Sequence, residues 1–108
     1  MDLKQLSPTL SVTGQITPND VADLAAQGFT TLVCNRPDGE EPGQPAFADI
    51  AAAAKAAGMT AYFMPFQGMP PANYVADFAA LAADAGQILA YCRSGARSGN
   101  LAAAAGVA

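Results

Sequence analysis

One short segment concentrates the groups that do chemistry: Tyr91-Cys92-Arg93-Ser94-Gly95-Ala96-Arg97-Ser98-Gly99-Asn100. A cysteine attacks as its thiolate, so a working Cys92 must sit where negative charge is stabilised. The residues from Arg93 to Arg97 can curl until successive backbone N–H groups point inward and form an anion nest. Gly95 permits the backbone angles such a curl requires. A helix beginning directly afterwards turns its positive end toward the same point. Arg97 carries a planar fork that grips two oxygens of an oxyanion. Cys92 is therefore the candidate nucleophile and Arg97 its partner, with Arg93, Ser94, Gly95, Ala96 and Ser98 as the anion-binding ring. Ser98 has two open roles, a hydrogen bond to the thiolate or the N-cap of the following helix. The alternative, that Cys92 merely fills a turn, does not account for a cysteine, two arginines, a glycine and a helix start in one loop.

The rest of the chain reads as the frame that delivers this loop. Leu10 to Thr13 forms a short first strand closed by Gly14. Thr17-Pro18-Asn19-Asp20 is a helix start, with Thr17 as N-cap, Pro18 in the first turn and Asp20 as the capping-box acid. Val21, Leu24 and Ala25 follow helical spacing, and Gly28 stops the helix. Thr30 to Cys34 is a buried β-branched strand. Arg36 to Pro45 is a loop rich in proline, glycine and acids. Phe47, Ile50, Ala51 and Ala54 mark a second helix ended by Gly58, and Met59 to Met64 is the next strand. After the loop Pro65 to Pro71 comes a third helix, with Tyr74, Val75, Phe78, Leu81 and Ala82 on its buried side. Ile88 to Tyr91 is a strand, and Ser98 to Ala105 a final helix. Strands alternating with helices predict an α/β three-layer sandwich around a mostly parallel sheet of four to five strands. In such sheets ligands lie beyond the carboxyl ends of the strands. Three loops gather there: Asn35 to Pro45, Pro65 to Pro71, and Cys92 to Arg97.

Composition narrows the function. The 108 residues suit a single domain, with a formal net charge of −4. Acidity argues against a nucleic-acid partner, and no apolar stretch approaches a membrane span. No signal peptide is visible, and two separated cysteines make no disulfide framework, so a cytoplasmic setting with free thiols is expected. The chain has no histidine, which excludes Cys-His pairs, Ser-His-Asp triads and histidine-based zinc sites. No metal or organic cofactor is implied. The chain stops soon after the last helix begins, so truncation, or a downstream partner domain, is an expectation.

Cys92-Arg93-Ser94-Gly95-Ala96-Arg97 resembles the C-R-x-G-x-R active loop of rhodanese-type sulfurtransferases. The wider chain is more similar to the bacterial phosphatase-like domain found alone or at the start of beta-lactamase hydrolase-like proteins, the DUF442 family, whose members are often labelled sulfur transferases. The segments that carry this resemblance are Ser11 to Gln15, Asn35 to Glu40, Pro65-Phe66 with the loop after it, and the cysteine loop. The resemblance implies a fold like that of cysteine-dependent dual-specificity phosphatases. Two departures point away from their chemistry. A tyrosine-phosphatase signature has five residues between cysteine and arginine, and this loop has four. Those enzymes also carry an aspartic acid on the loop before the cysteine strand to protonate the leaving group, whereas Pro65 to Pro71 contains no acid.

Around the loop, several residues have two readings. Arg36 adds positive charge to the site and Asp38 or Glu40 orients substrate or Arg97, or else Arg36-Pro37-Asp38-Gly39 is a turn with a solvated arginine. The resemblance favours the functional reading of Arg36 and Asp38. Cys34 is expected as a buried thiol, with resolution of a persulfide on Cys92 as the other option. Phe66, Gln67 and Met69 wall the pocket or pack over the sheet. Tyr62 and Tyr74 are read as core or pocket wall, and Lys4 and Lys55 as solvated charges. Three functions follow. The first is sulfur transfer through a Cys92 persulfide, from a small anionic donor such as thiosulfate or a persulfide to a thiol acceptor. The second is hydrolysis of a phosphate ester through a cysteinyl-phosphate. The third is an anion-binding or redox-sensing module.

Overall fold

The structure, a computed structural model, describes residues 1–107. The strands are β1 (Lys4–Ser7), β2 (Leu10–Thr13), β3 (Phe29–Cys34), β4 (Thr60–Phe63) and β5 (Gln87–Tyr91). The helices are α1 (Pro18–Ala26), α2 (Phe47–Ala56), α3 (Ala72–Asp84) and α4 (Ala96–Ala104). One sheet of five strands runs in the order β1-β2-β5-β3-β4, with β1 antiparallel to β2 and every other pair parallel. The last strand thus inserts between β2 and β3. Its carboxyl end, which delivers Cys92, is flanked by the carboxyl ends of both neighbours.

Helices cover both faces. Leu32, Leu89 and Tyr91 point into one core with Val21 and Leu24 of α1 and Ile50 and Ala54 of α2. Val33, Ile88 and Ala90 point into the other with Phe78 of α3 and Leu101 and Ala102 of α4. Burying a Leu, Ile or Phe side chain contributes about 1.5–3 kcal/mol, and strands buried on both faces explain why β3 and β5 read as continuous apolar runs.

Local signals set the boundaries. The capping box of α1 forms, with the Thr17 N–H donating to Asp20 Oδ2 at 2.8 Å. Gly28 takes the left-handed conformation (φ 99°) that ends α1. The expectation for α4 is corrected. It begins at Ala96 rather than Ser98, with Gly95 as its N-cap in the left-handed region. Arg97 consequently belongs to the first turn of a helix, not to the loop. The strand β1 was outside the expected set. It lies at the sheet edge, where only Leu6 turns to a core, so it carries no apolar run to read. Of the two readings of Tyr62, the core is excluded: it is exposed on the edge strand β4, where it lines a surface pocket with Asp77 and Leu81.

Candidate active site

Cys92 follows β5 directly and is buried, with 1% of its surface exposed. Its N–H donates to Thr13 O at 3.3 Å, which ties the start of the loop to the end of β2. The Gly95 N–H donates to Cys92 Sγ at 3.1 Å. Burial opposes ionisation of the thiol, but the backbone N–H groups of Ser98, Ser94, Gly95 and Arg97 outweigh it, and the Cys92 pKa falls below its ordinary value. The nest expected from the sequence is thus built from the loop and the first turn of α4 together.

The second half of the site is a carboxylate shared between arginines. Arg97 meets Glu40 face to face, Nη2 to Oε1 at 2.7 Å and Nη1 to Oε2 at 2.9 Å. Arg97 Nη1 also donates to Phe66 O at 3.1 Å. Glu40 accepts two further bonds, from Arg36 Nε at 2.9 Å and Gln67 Nε2 at 2.9 Å. Among the described residues, Arg97 Nε and one Nη2 hydrogen make no hydrogen bond. The Arg97 hydrogen bonds are the largest influence on Glu40. Against the opposing effect of burial, and with help from Gln67 and Arg36, they hold its pKa down to about 2.

The family model for the phosphatase-like domain of beta-lactamase hydrolase-like proteins matches residues 2–107. The chain belongs to this family. A beta-lactamase hydrolase-like protein from Agrobacterium fabrum is 38% identical over 102 residues, which cover 91% of this chain and 23% of that protein. The chain therefore spans about a quarter of the length of this curated relative. The crystal structure of a candidate phosphatase from Neisseria meningitidis is 36% identical with a TM-score of 0.79, covering 90% of this chain and 70% of that one. Tk-PTP, 15% identical, superposes with a TM-score of 0.75 over 95% of this chain and 69% of that one. At that identity the likeness is of fold alone, and the fold is that of the cysteine phosphatases. Among the described residues, no helix is long and apolar enough to cross a membrane.

Within this phosphatase-like domain the expected residues are not all brought to one point. Cys92, Ser94, Gly95, Arg97 and Ser98 converge, the first through its sulfur and the others through backbone N–H groups. Ala96 is exposed, and its N–H reaches Ser94 Oγ at 3.4 Å. Arg93 stands at the rim with its side chain 71% exposed, 3.9 Å from Glu41. The expectation for the Ser98 hydroxyl is corrected: it donates to Asn35 Oδ1 at 2.9 Å, not to the thiolate, because Ser98 sits inside the first turn of α4.

Asp38 is placed at the start of α2. Its Oδ1 accepts the Phe47 N–H at 2.9 Å and so serves the first turn of α2. Among the described residues it makes no hydrogen bond to Cys92 or Arg97, and of the two acids considered for Arg97 it is Glu40 that reaches it. Arg36 is neither solvated nor open to a ligand. It is 1% exposed, and its donors go to Glu40, to Glu41 at 2.9 Å and to Gln15 at 3.2 Å. Cys34 faces the α1–α2 layer, donates to Arg36 O at 3.3 Å, and burial pushes its pKa up. Phe66 packs inward, Gln67 holds Glu40, and Met69 projects into solvent.

Glu41, which pairs with Arg36 and Arg93, escaped the sequence reading as a site component, and so did Asn35 and Gly14. Asn35 is fully buried and joins three elements. Its N–H donates to Tyr91 O, its side-chain amide to Met64 O at 3.0 Å, and its Oδ1 receives the Ser98 hydroxyl. An asparagine closing a buried strand was the available signal, since a polar side chain there must find partners. Gly14 lets the chain after β2 pass the cysteine loop. A Cβ there would lie 2.9 Å from Arg93 O.

Proposed function

We propose that this phosphatase-like domain is an enzyme that transfers sulfane sulfur through a persulfide on Cys92. The observation that carries the reading concerns protons. Hydrolysis of a phosphate monoester with a poor leaving group calls for a general acid that holds a proton near neutral pH. The carboxylate that reaches the site, Glu40, is pinned between Arg97 and Arg36 and stays ionised down to about pH 2. Asp38 is occupied at α2, and Pro65 to Pro71 supplies no acid. Sulfur transfer proceeds without one, because thiolates are good leaving groups.

The Cys92 thiolate attacks the outer sulfur of a donor. A bond forms from Sγ to that sulfur, and the donor's own S–S or S–SO₃ bond breaks with its electron pair leaving on thiolate or sulfite. An acceptor thiolate then attacks the outer sulfur of the Cys92 persulfide. It departs as a new persulfide and Cys92 is regenerated as thiolate. The nest N–H groups and the free edge of Arg97 hold the anionic donor during the first step.

Intact mass is the test. Treatment with thiosulfate or an organic persulfide should add the mass of one sulfur atom to the wild-type chain and none to Cys92→Ser, and cyanide should remove it as thiocyanate. Absence of the added sulfur with both donors rejects the proposal. The phosphatase reading draws support from the family's name and from the Neisseria relative. It would replace the present one if an aryl phosphate were hydrolysed by the wild type and not by Cys92→Ser.

A further inference from the structure

The charges around Cys92 say more about the donor than the presence of arginine suggests. Three guanidiniums, Arg36, Arg93 and Arg97, pair with the carboxylates of Glu40 and Glu41, and the Cys92 sulfur lies close enough to Arg97 to interact with its charge. With Cys92 in its reactive thiolate form, three positive charges meet three negative ones and the set is electrically neutral before any donor arrives. Nor is the positive charge free to turn outward. Arg36 is buried with its donors committed, and Arg97 lends both terminal nitrogens to Glu40. Arg93 is largely exposed to solvent, where water and salt screen it. The nest N–H groups already act on the thiolate.

We propose that Glu40 and Glu41 tune the Cys92 pocket to donors whose reacting head carries at most one negative charge, so that an organic persulfide is preferred over dianionic thiosulfate. The substrate named here rests on the sulfur-transfer reading, while the charge selection rests on the pairing of the two glutamates. A dianion entering the pocket must shed water from two charges with no surplus positive charge to replace it. A persulfide head asks for less, and the single free edge of Arg97 with the adjacent amides meets it. The step balances without a co-reactant. Cys92 Sγ bonds to the terminal sulfur of R–S–SH, the R–S bond to that sulfur breaks, and its electron pair leaves as RS⁻. The proton stays on the transferred sulfur.

The test needs no turnover. Cys92 is alkylated with iodoacetamide at fixed pH and ionic strength, with inorganic sulfate or methanesulfonate as protecting anion, and a protection constant is read for each. The wild type should be protected by methanesulfonate at concentrations no higher than those of sulfate. Glu41→Gln removes one charge at the rim without touching Arg97 and should shift the ratio toward sulfate about three- to tenfold. Glu40→Gln should shift it further. Stronger protection of the wild type by sulfate, or a ratio unmoved by Glu41→Gln, overturns the proposal. These constants hold whether or not Cys92 takes up sulfur, so failure of the sulfur-transfer reading is seen separately, in the mass experiment.

Discussion

At the scale of single residues, Glu40 holds the site together and has the most to lose in acid. It accepts four hydrogen bonds from three side chains, and two of those side chains carry full positive charge. Breaking one partner away leaves the others with an uncompensated charge in a part-buried setting. The pH consequence has a definite sign. A carboxyl whose folded pKa is depressed contributes stability that is complete above its unfolded value and is lost as the pH falls through the folded one. For Glu40 that window runs from its ordinary 4.5 down to about 2. The urea midpoint of the wild type should therefore fall across this range. Glu40→Gln should start from a lower midpoint at pH 6 and lose less on acidification. If the two proteins lost stability in parallel from pH 5 to pH 2, the pairing of Glu40 with Arg97 and Arg36 would not be the source of the depression.

Among the elements, the turn after β2 and the cysteine loop are crowded together. Gly14 has an ordinary backbone conformation, so its requirement is space: an added methyl would sit 2.9 Å from a backbone oxygen of Arg93. Gly99, in α4, has nothing within 4 Å of the same added atom. Gly14→Ala should cost about 1–3 kcal/mol in a denaturation series and slow alkylation of Cys92, because the loop amides are pushed off the sulfur. Gly99→Ala should be neutral or stabilise by up to about 1 kcal/mol and leave alkylation unchanged. Equal behaviour of the two variants would remove the crowding argument.

The same elements explain what the sequence disclosed. Thr17 to Asp20 announced α1 because a capping box is written in adjacent residues. The strand β3 announced itself by a β-branched apolar run and β5 by a short apolar one, and the nest by its glycine and arginines. What stayed hidden depends on partners far along the chain. Nothing near Arg36 says that it is buried, since one of its acceptors, Gln15, lies 21 positions earlier. Ser98 suited an N-cap by type, but Gly95 took that place because the loop closes through a left-handed turn. Asp38 and Glu40 are two positions apart and of like chemistry. Only the folded loop shows that one serves α2 and the other Arg97.

For the whole molecule, the insertion of β5 between β2 and β3 decides where rigidity lies. The nucleophile follows a strand that, like β3, is paired in parallel on both sides, and whose Ile88, Leu89 and Ala90 are buried among the two cores. Arg97 stands on the helix that continues from it, so thiolate and guanidinium share one rigid support. Glu40 and Glu41 come instead from the open loop between β3 and α2, and β1 and β4 form the two edges of the sheet. Local opening is cheapest where buried contacts are few. Native-state hydrogen exchange should therefore find the Leu89 and Ala90 amides exchanging only through global unfolding. The amides of β1 and β4 and of the Glu40 loop should exchange through smaller openings, with protection there rising when an anion occupies the site. Edge-strand amides as slow as those of β5 would mean that the sheet opens as one unit. The division between a fixed nucleophile and an adjustable charge-pairing loop would then have no dynamic basis.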